Sequence, residues 1–539
     1  DWDNNEVREK RTPNSAERRY QKTLSKNFTL YADYKKNFND RHDLSVMVGT
    51  SYESENYDRF TAKRINFDQQ ENMSLQLGSA QDQNAWSEGN QWTINSFFSR
   101  VNYTFANKYV IEGTIRADGS SRFDPDHRWG WFPGVNAAWR VGEEGFMKRL
   151  GWFEDLKVRA SYGEMGNQSG IGLYDYIQLI SLSNDYYPFG TGVKGQMATS
   201  GNIISTSRTW ETIQTTNVGF DFSTLNNRLY GSFDYFWKEN KNMLIPKTYP
   251  SMLGADAPST NSGHLSIHGW EISLGWRDQI KDFSYSVRFN ISDAKNKVVD
   301  RVGSNLIQLG NNETPTGYPL NSYFGYEFDG IIQNEQELEA YKSRFSEGGI
   351  PGDLSVGDAM YKDLDGDGKL SVLGDGKEGS GDVKYLGDKN PRYNFGFNLS
   401  MAWKGFDLSA FIQGVGRRTM FLEGESRCPM PEAWYQSAEY WYGKTWTPER
   451  TDAQYPAITL KDKRNYNYYV STNTKFNVAY ARLKNLQFGY TIPQTLTSKA
   501  GLQKVRVYFS GEDLFEVHNT PNGWDPEENS GSITSYPFT

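Results

Sequence analysis

Residues 215–241 combine two stretches of alternating apolar and polar residues around a polar turn. The first stretch places Val218, Phe220 and Phe222 on one face, with polar residues or glycine between them. The second repeats the alternation through Phe233 and Tyr235, and two asparagines lie in the turn. This pattern predicts a β-hairpin with arms of about ten residues, enough to cross a bilayer when tilted. It is typical of an outer-membrane barrel, and also of a soluble antiparallel sheet with one packed face.

The same alternation recurs along the chain and predicts about fourteen strands with alternately short and long connections. The long connections fall at 54–92, 164–213, 293–390 and 415–478. Loop lengths in a soluble sandwich or propeller have no reason to sort this way, whereas a transmembrane barrel has tight periplasmic turns and long extracellular loops. The predicted fold class is therefore all-β, a large antiparallel transmembrane β-barrel over residues 1–539.

The alternation also assigns side chains to the two faces of the predicted wall. Apolar side chains should face lipid and charged ones a wet lumen, because a barrel strand separates the two environments. The predicted lipid-facing residues include Leu30, Val46, Phe220, Phe222, Phe233 and Tyr235. The predicted lumen-facing residues include Asp33, Asp221 and Asp234.

Composition narrows the class of protein further. The mean hydropathy is −0.73, and no apolar run approaches the length of a membrane-spanning helix, which excludes a helical membrane protein. The net charge of −8 argues against a nucleic-acid partner. A single cysteine, Cys428, excludes an intrachain disulfide. The chain begins at Asp1 without a signal peptide, so we expect it to be part of a longer exported precursor.

No recognisable catalytic motif occurs in the sequence. Walker A, dinucleotide-binding and G-x-S-x-G patterns are missing, and the five histidines have no metal-ligand spacing. We therefore assign no catalytic residues and predict that the chain is not an enzyme.

One stretch has the composition of a cation-binding loop. Asp363, Asp365 and Asp367 alternate within a D-x-D-x-D-G pattern, which brings carboxylates together around a hard cation. We predict Ca²⁺ at these residues, with a backbone carbonyl near Lys369 and with Asp375 in place of the acid that usually closes such a loop. The alternative is a solvated acidic turn. The predicted role is structural, because the ion would order the insertion around it.

Aromatic residues concentrate in the last long connection. Trp434, Tyr435 and Trp441 are the candidates for contacts with a sugar or another substrate. The alternative, which we favour for any single residue, is that the rings pack the loop on itself.

Several motifs together resemble the SusC-like (SusC/RagA) TonB-dependent outer-membrane transporters, in the family's order and over nearly the whole chain. The matching stretches are RADGSSRF (116–123), WGWFP (129–133), LKVRASYG (156–163), GNQ (166–168), WET (210–212), YKDLDGDG (361–368), PRYNFGF (391–397), ARLKNLQFGY (481–490), GEDLF (511–515) and DPE (525–527).

The resemblance implies an importer in the outer membrane of a Gram-negative bacterium of the Bacteroidetes. Such proteins have an N-terminal plug and a TonB-binding segment, neither of which is in this sequence, and a SusD-like surface lipoprotein as a lid. If the complete barrel has 22 strands, these would be about strands 8–21. The expected substrates are nutrient oligomers, foremost glycan oligosaccharides. The alternatives are an oligopeptide importer, an outer-membrane scaffold for surface lipoproteins, and a secreted glycan-active enzyme.

Overall fold

A computed structural model gives the structure of the chain. It describes residues 14–68, 73–81, 83–183, 188–189, 193–194, 197–200, 203–246, 259–301, 310, 314–373, 381–430, 437–459 and 462–528.

Fourteen long strands form one antiparallel sheet whose spatial order follows the sequence. They are β1 (Ser15–Phe38), β2 (His42–Ile65), β3 (Gln83–Phe105), β4 (Tyr109–Ser120), β5 (Trp129–Trp139), β6 (Asp155–Asn167), β7 (Glu211–Thr224), β8 (Leu229–Pro246), β9 (Ser259–Ile280), β10 (Phe283–Asp300), β11 (Arg392–Trp403), β12 (Phe406–Arg417), β13 (Tyr480–Ile492) and β14 (Val505–His518). Within the described residues the sheet is open, since β1 pairs only with β2 and β14 only with β13. The predicted all-β architecture and its strand number are confirmed.

The register of the strands separates an apolar face from a polar face. Directly paired residues share a face, and the pairings join a row of apolar side chains from β6 to β11. This row comprises Val158, Phe220, Phe233, Ile272, Ile291 and Phe395. Asp221 pairs with Lys157, and Asp234 with Gly219, on the opposite face. Leu30 and Val46 likewise lie on the apolar face and Asp33 on the polar face, so the predicted alternation holds.

The two ends of the sheet differ as the connection lengths predicted. At one end the strands are joined by short links, such as 39–41, 106–108 and 404–405. At the other end the predicted limits of one connection, 54–92, were wrong, because β2 continues to Ile65 and β3 begins at Gln83. Both faces of these strand extensions are polar, so the hydrogen-bonded ladder continues where the alternation ends. The other three insertions begin and end within about ten residues of their predicted limits.

Aromatic side chains mark the turn end of the apolar face. Phe105, Tyr109 and Trp139 stack in sequence across three strands, with centroid distances of 6.3 and 6.4 Å. Glu144 accepts hydrogen bonds from the Tyr109 hydroxyl at 2.7 Å and the Trp139 indole at 3.2 Å. On β10 the apolar band runs from Phe283 to Ile291. This is about 27 Å along the strand and about 20 Å in height when the strand is tilted, close to the height of the apolar band of an outer-membrane barrel.

The described residues contain few helices, and these are short. They are α1 (Gly145–Leu150), α2 (Glu335–Arg344), α3 (Asp462–Asn467) and α4 (Gln494–Thr497). In the described part of the chain, no helix has both the length and the apolar character needed to span a membrane.

The largest hydrophobic cores lie beyond the long-loop end of the sheet. The first contains ten buried residues and joins the connection after β10 to the connection after β12 through Tyr341, Tyr361 and Tyr466. The second surrounds Trp441 and Tyr455 and includes Trp524 from the segment after β14. We call the described residues of these two connections, 314–373 with 381–391 and 418–478 with gaps, the loop body. Its paired strands include Ser322–Tyr326 with Val383–Asp388 and Phe328–Ile331 with Ala359–Tyr361.

Candidate functional site

The polar face carries a charged network at the middle of the sheet. Arg159 on β6 donates to Asp234 on β8 at 2.6 Å and to Asp221 on β7 at 3.1 Å. Lys157 lies 2.8 Å from the Asp221 carboxylate. Gly219 permits this arrangement, because a Cβ there would meet the Asp234 carboxylate at 2.6 Å. Alternation placed the two aspartates on this face but gave no sign that one arginine joins them.

The network continues as a series of polar contacts along the wall. Glu112 accepts from the amides of Asn102 at 3.3 Å and Asn136 at 3.1 Å. At the far side, Arg506 donates to Asp407 at 3.0 Å. A face of paired charges and amides favours contact with water or with a polar occupant, since these groups would be costly to bury against lipid.

Three aromatic side chains from the resembling motifs form a small core at the loop end of the wall. Trp210 contacts Phe123 and Phe132 with centroid distances of 5.1 and 5.7 Å. The Trp210 indole donates to the Arg128 carbonyl at 2.9 Å. Gly166 makes room for this core, because a Cβ there would lie 2.2 Å from the Phe132 ring. These motifs therefore connect three loops where the strands leave the apolar band.

The motifs ARLKNLQFGY (481–490) and DPE (525–527) form contacts that fix the segment after β14 to the wall. Arg482 donates to Asp525 at 2.7 Å and also contacts Glu516 and Glu527. Lys484 lies 2.8 Å from Asp513 and 3.0 Å from Glu527. Residues far apart in the sequence thus form one ion-pair network.

The acidic loop contains a carboxylate cluster with a different membership from the predicted one. Asp363, Asp365 and Asp382 each offer an oxygen, and these oxygens lie within 4.8 Å of one another. Asp367 is outside this trio, and its carboxylate accepts from the Lys369 backbone amide at 2.8 Å. Asp375 lies outside the described residues.

Asp382 is the member that sequence spacing missed, because it lies fifteen residues beyond Asp367 and outside the short motif. It is 0% exposed and accepts backbone hydrogen bonds from Leu364 at 2.6 Å and Ser371 at 2.8 Å. Burial, together with the charges of Asp365 and Asp363, raises its pKa. Burial and the neighbouring aspartates also raise the pKa of Asp365. Three hard oxygen donors that repel one another fit a divalent cation such as Ca²⁺.

The aromatic candidates occupy different places. Trp434 and Tyr435 lie outside the described residues. Trp441 is 3% exposed and packs on Tyr455 and Tyr468, so its burial in the loop body corrects its assignment as a substrate contact. The physical reason is that the burial of a large ring within the loop stabilises the loop itself.

A crevice of about 490 Å³ lies beside this core. Tyr440, Tyr442 and Trp524 contribute its rings, and Tyr442 is 90% exposed. The Lys444 ammonium lies 3.5 Å from the centroid of Tyr440, and burial lowers the pKa of this lysine. The exposed ring of Tyr442 beside these polar groups is suited to stacking on a flat, amphipathic ligand.

Comparison with known proteins places the chain in a family. The family described as "TonB dependent receptor-like, beta-barrel" matches residues 1–514. The chain is similar to TonB-dependent receptor P3 of Formosa agariphila, with 32% identity over 94% of this chain and 49% of that receptor. It is also similar to TonB-dependent receptor SusC of Bacteroides thetaiotaomicron, with 26% identity over 95% of this chain and 48% of that receptor. The chain thus spans about half the length of the curated relatives that it matches.

Solved structures with this fold include the RagAB peptide importer in its closed-closed state. That chain is 24% identical, with a TM-score of 0.78 over 96% of this chain and 54% of that chain. At this identity the likeness establishes the fold, and the family match with the relatives above establishes membership. The chain belongs to the TonB-dependent receptor family, whose β-barrel it represents, and it is SusC-like.

Proposed function

We propose that this chain is part of the wall of a TonB-dependent importer of nutrient oligomers in the outer membrane of a Gram-negative bacterium of the Bacteroidetes. The observation that carries the proposal is the fourteen-stranded wall with one apolar and one charged face. Such a wall separates lipid from a wet passage, as transport of a polar oligomer requires. The remaining strands and a plug would come from other parts of the same protein, with this wall as about strands 8–21 of 22.

We infer that the loop body lies on the extracellular side and binds a partner protein. Its two cores give it a packed interior of its own, so it would present a preformed surface to a second protein. We infer that a SusD-like lipoprotein lid docks there and that TonB engages the receptor through a segment upstream of the wall.

Glycan oligosaccharides are the substrates we favour. The crevice offers the exposed ring of Tyr442 and the partly exposed ring of Tyr440, together with the polar groups of Glu439 and Asn522. Sugar rings bind such surfaces through stacking and hydrogen bonds. An oligopeptide importer of the same family and an outer-membrane scaffold are the alternatives. The name of the RagAB importer is the observation that favours peptides.

Calcium is the second part of the proposal. We infer that Asp363, Asp365 and Asp382 bind one Ca²⁺, with Asp367, Asp375 and the Lys369 carbonyl as the other candidates from the sequence. The ion would neutralise the repulsion among these carboxylates and would thereby stiffen the loop body. Sites in extracellular modules need only weak affinity, about 10⁻⁴–10⁻³ M.

A substrate panel tests the proposed import. A strain that lacks the receptor gene would be compared with a strain complemented by the full-length gene, using labelled neutral oligosaccharides and labelled oligopeptides of matched length. Uptake restored only for oligosaccharides is the expected result. Uptake restored only for peptides would select the peptide alternative. If neither class is taken up while surface lipoproteins are lost from the deletion strain, the scaffold alternative would replace import.

A further inference from the structure

A strongly basic pocket lies where β10 and β11 part. Ladder pairing between these strands ends at Ser292 and Asn394, whereas β10 remains paired with β9 as far as Asp300. The segment at Gly317 and Tyr318 takes up part of the vacated edge through hydrogen bonds with Val298 of 2.8 and 2.9 Å. The space left beside that segment is a cavity of about 370 Å³, which we call the rim pocket.

The rim pocket has an excess of positive charge although the whole chain is acidic. Its lining contains the five cations Lys295, Lys297, Arg392, Arg417 and Arg418. Asp388 is the one carboxylate in that lining, and its oxygens accept from the Tyr385 hydroxyl at 2.8 Å and the Asn390 amide at 3.1 Å.

Two of the five cations have partners within the protein. Arg392 binds the carboxylate of Asp293. Arg418 donates to the backbone carbonyls of Pro526 at 2.7 Å and Glu528 at 2.6 Å.

The other three, Lys295, Lys297 and Arg417, are exposed side chains. Among the residues that the structure describes, none of the three has a carboxylate oxygen within 4.0 Å. Glu239 pairs with Ser266, which pairs with Lys297, but its carboxylate binds His264 and Ser266. Burial and the charges of Arg417 and Lys384 also lower the pKa of Lys475, in keeping with a positive field at this site. Three cations that have no carboxylate partner among the described residues and surround one cavity favour an anionic ligand.

The strand register places Lys295 and Lys297 on the apolar side of the wall. Ile291 pairs with Ile272 on the apolar face, and Lys295 pairs with His268 on that same face, four residues further along each strand. Lys297 follows on this face by period two. Lys295 lies four residues past Ile291, which is about 13 Å along the strand and about 10 Å in height when tilted. Lys295 and Lys297 therefore lie just above the lipid-facing band, at the level of outer-leaflet headgroups, and Arg417 lines the pocket beside them.

We propose that the rim pocket binds the phosphorylated saccharide headgroup of an outer-leaflet glycolipid, with Lys295, Lys297 and Arg417 contacting phosphate. The location favours a lipid over a transported oligomer, because Lys295 and Lys297 lie on the face opposite the charged network of Arg159. Lysine and arginine are the usual protein partners of phosphate, and basic pockets at a membrane surface bind anionic headgroups. This inference rests on the outer-membrane placement proposed above.

The test uses the full-length receptor, purified in detergent, freed of lipid and titrated with fluorescent diphosphoryl lipid A. The triple variant Lys295→Gln/Lys297→Gln/Arg417→Gln is expected to bind about 100-fold more weakly, at roughly a factor of five for each cation. A matched control, Lys36→Gln/Lys281→Gln/Lys499→Gln, removes three cations near the opposite end of the wall and should bind like the wild type. Heat-modifiable migration on gels would verify that both variants are folded.

Lipid arms and substrate arms separate the possible ligands. The same lipid without phosphates should lose most of its affinity for the wild type, and equal affinity would overturn phosphate recognition. Unchanged lipid A binding by the triple variant would overturn the proposal. A triple variant that retains lipid A binding but loses binding to an acidic oligosaccharide would also overturn the proposal, and would assign the pocket to substrate. A receptor that binds lipid A through these residues but imports nothing would refute import and leave this site standing.

Discussion

Phe220 provides a sharp test of which face of the wall contacts lipid. It lies on β7 in the apolar row, four residues before the strand ends at Thr224, about 13 Å along the strand and near the middle of the band. Its side chain is 39% exposed, and its neighbours in the row are Val158 and Phe233. An arginine near the bilayer midplane costs about 2–4 kcal/mol, so Phe220→Arg should reduce the folding equilibrium about 30- to 1,000-fold.

The matched control is Asn217→Arg, three positions away on the same strand and on the polar face. Its new guanidinium would meet water and the charged wall, so the expected change is under about 1 kcal/mol. Both variants of the full-length receptor would be folded from urea into lipid vesicles, and the midpoint and slope of unfolding would be measured. Equal effects of the two substitutions, or a larger effect of Asn217→Arg, would refute the assignment of the faces.

Three further predictions concern the loop end of the wall. Arg482→Met should destabilise the segment after β14 by about 3 kcal/mol. This is the low end of the cost of breaking a buried ion pair, because the three acids are partly exposed. Faster amide exchange over 519–528 would reveal the loss. Calcium should protect the loop body from proteolysis, and Asp382→Asn should abolish this protection. Because the pKa of Asp382 is raised above its usual 3.8, protons should displace calcium at a higher pH than they would from an ordinary aspartate. Tyr442→Ala should raise the substrate concentration needed for half-maximal oligosaccharide uptake about 2- to 13-fold, because it removes one stacking contact.

Each of these predictions has a distinct contradictory result. Exchange over 519–528 that Arg482→Met leaves unchanged would mean that the carboxylates are not held by this arginine. Equal proteolysis with calcium and with chelator would leave the acidic loop as a solvated turn. Tyr440→Ala serves as a comparison for Tyr442→Ala, since its ring is partly buried and should also alter loop packing. Unchanged uptake by both variants would remove the crevice from the transport path.

The wall was predictable from the sequence because its physical demand repeats every second residue. Lipid on one side and water on the other impose the alternation seen at Phe220 and Asp221, and the sorting of loop lengths identified the two ends. The strand extensions around Ile65 and Gln83 escaped detection, because polar side chains occur on both of their faces and leave no alternation to read.

The site was less predictable because its contacts join residues that are distant in the sequence. Local spacing identified Asp363 and Asp365 but not Asp382, which precedes the strand Val383–Asp388 later in the same connection and returns to the loop through backbone pairing. Likewise, an aromatic-rich stretch does not reveal which ring is buried, as with Trp441, and which is exposed, as with Tyr442. Burial depends on the partner loop, and a linear pattern carries no information about it.

Energy-dependent uptake tests the central claim most directly. Cells that express the full-length receptor would be given a labelled oligosaccharide selected from the substrate panel, and its accumulation would be measured with and without functional TonB. We expect accumulation that requires the receptor and TonB together and that ceases when the proton gradient of the inner membrane is collapsed. Receptor-dependent accumulation that persists without TonB and without the gradient would contradict the account, and the wall would then be a passive pore.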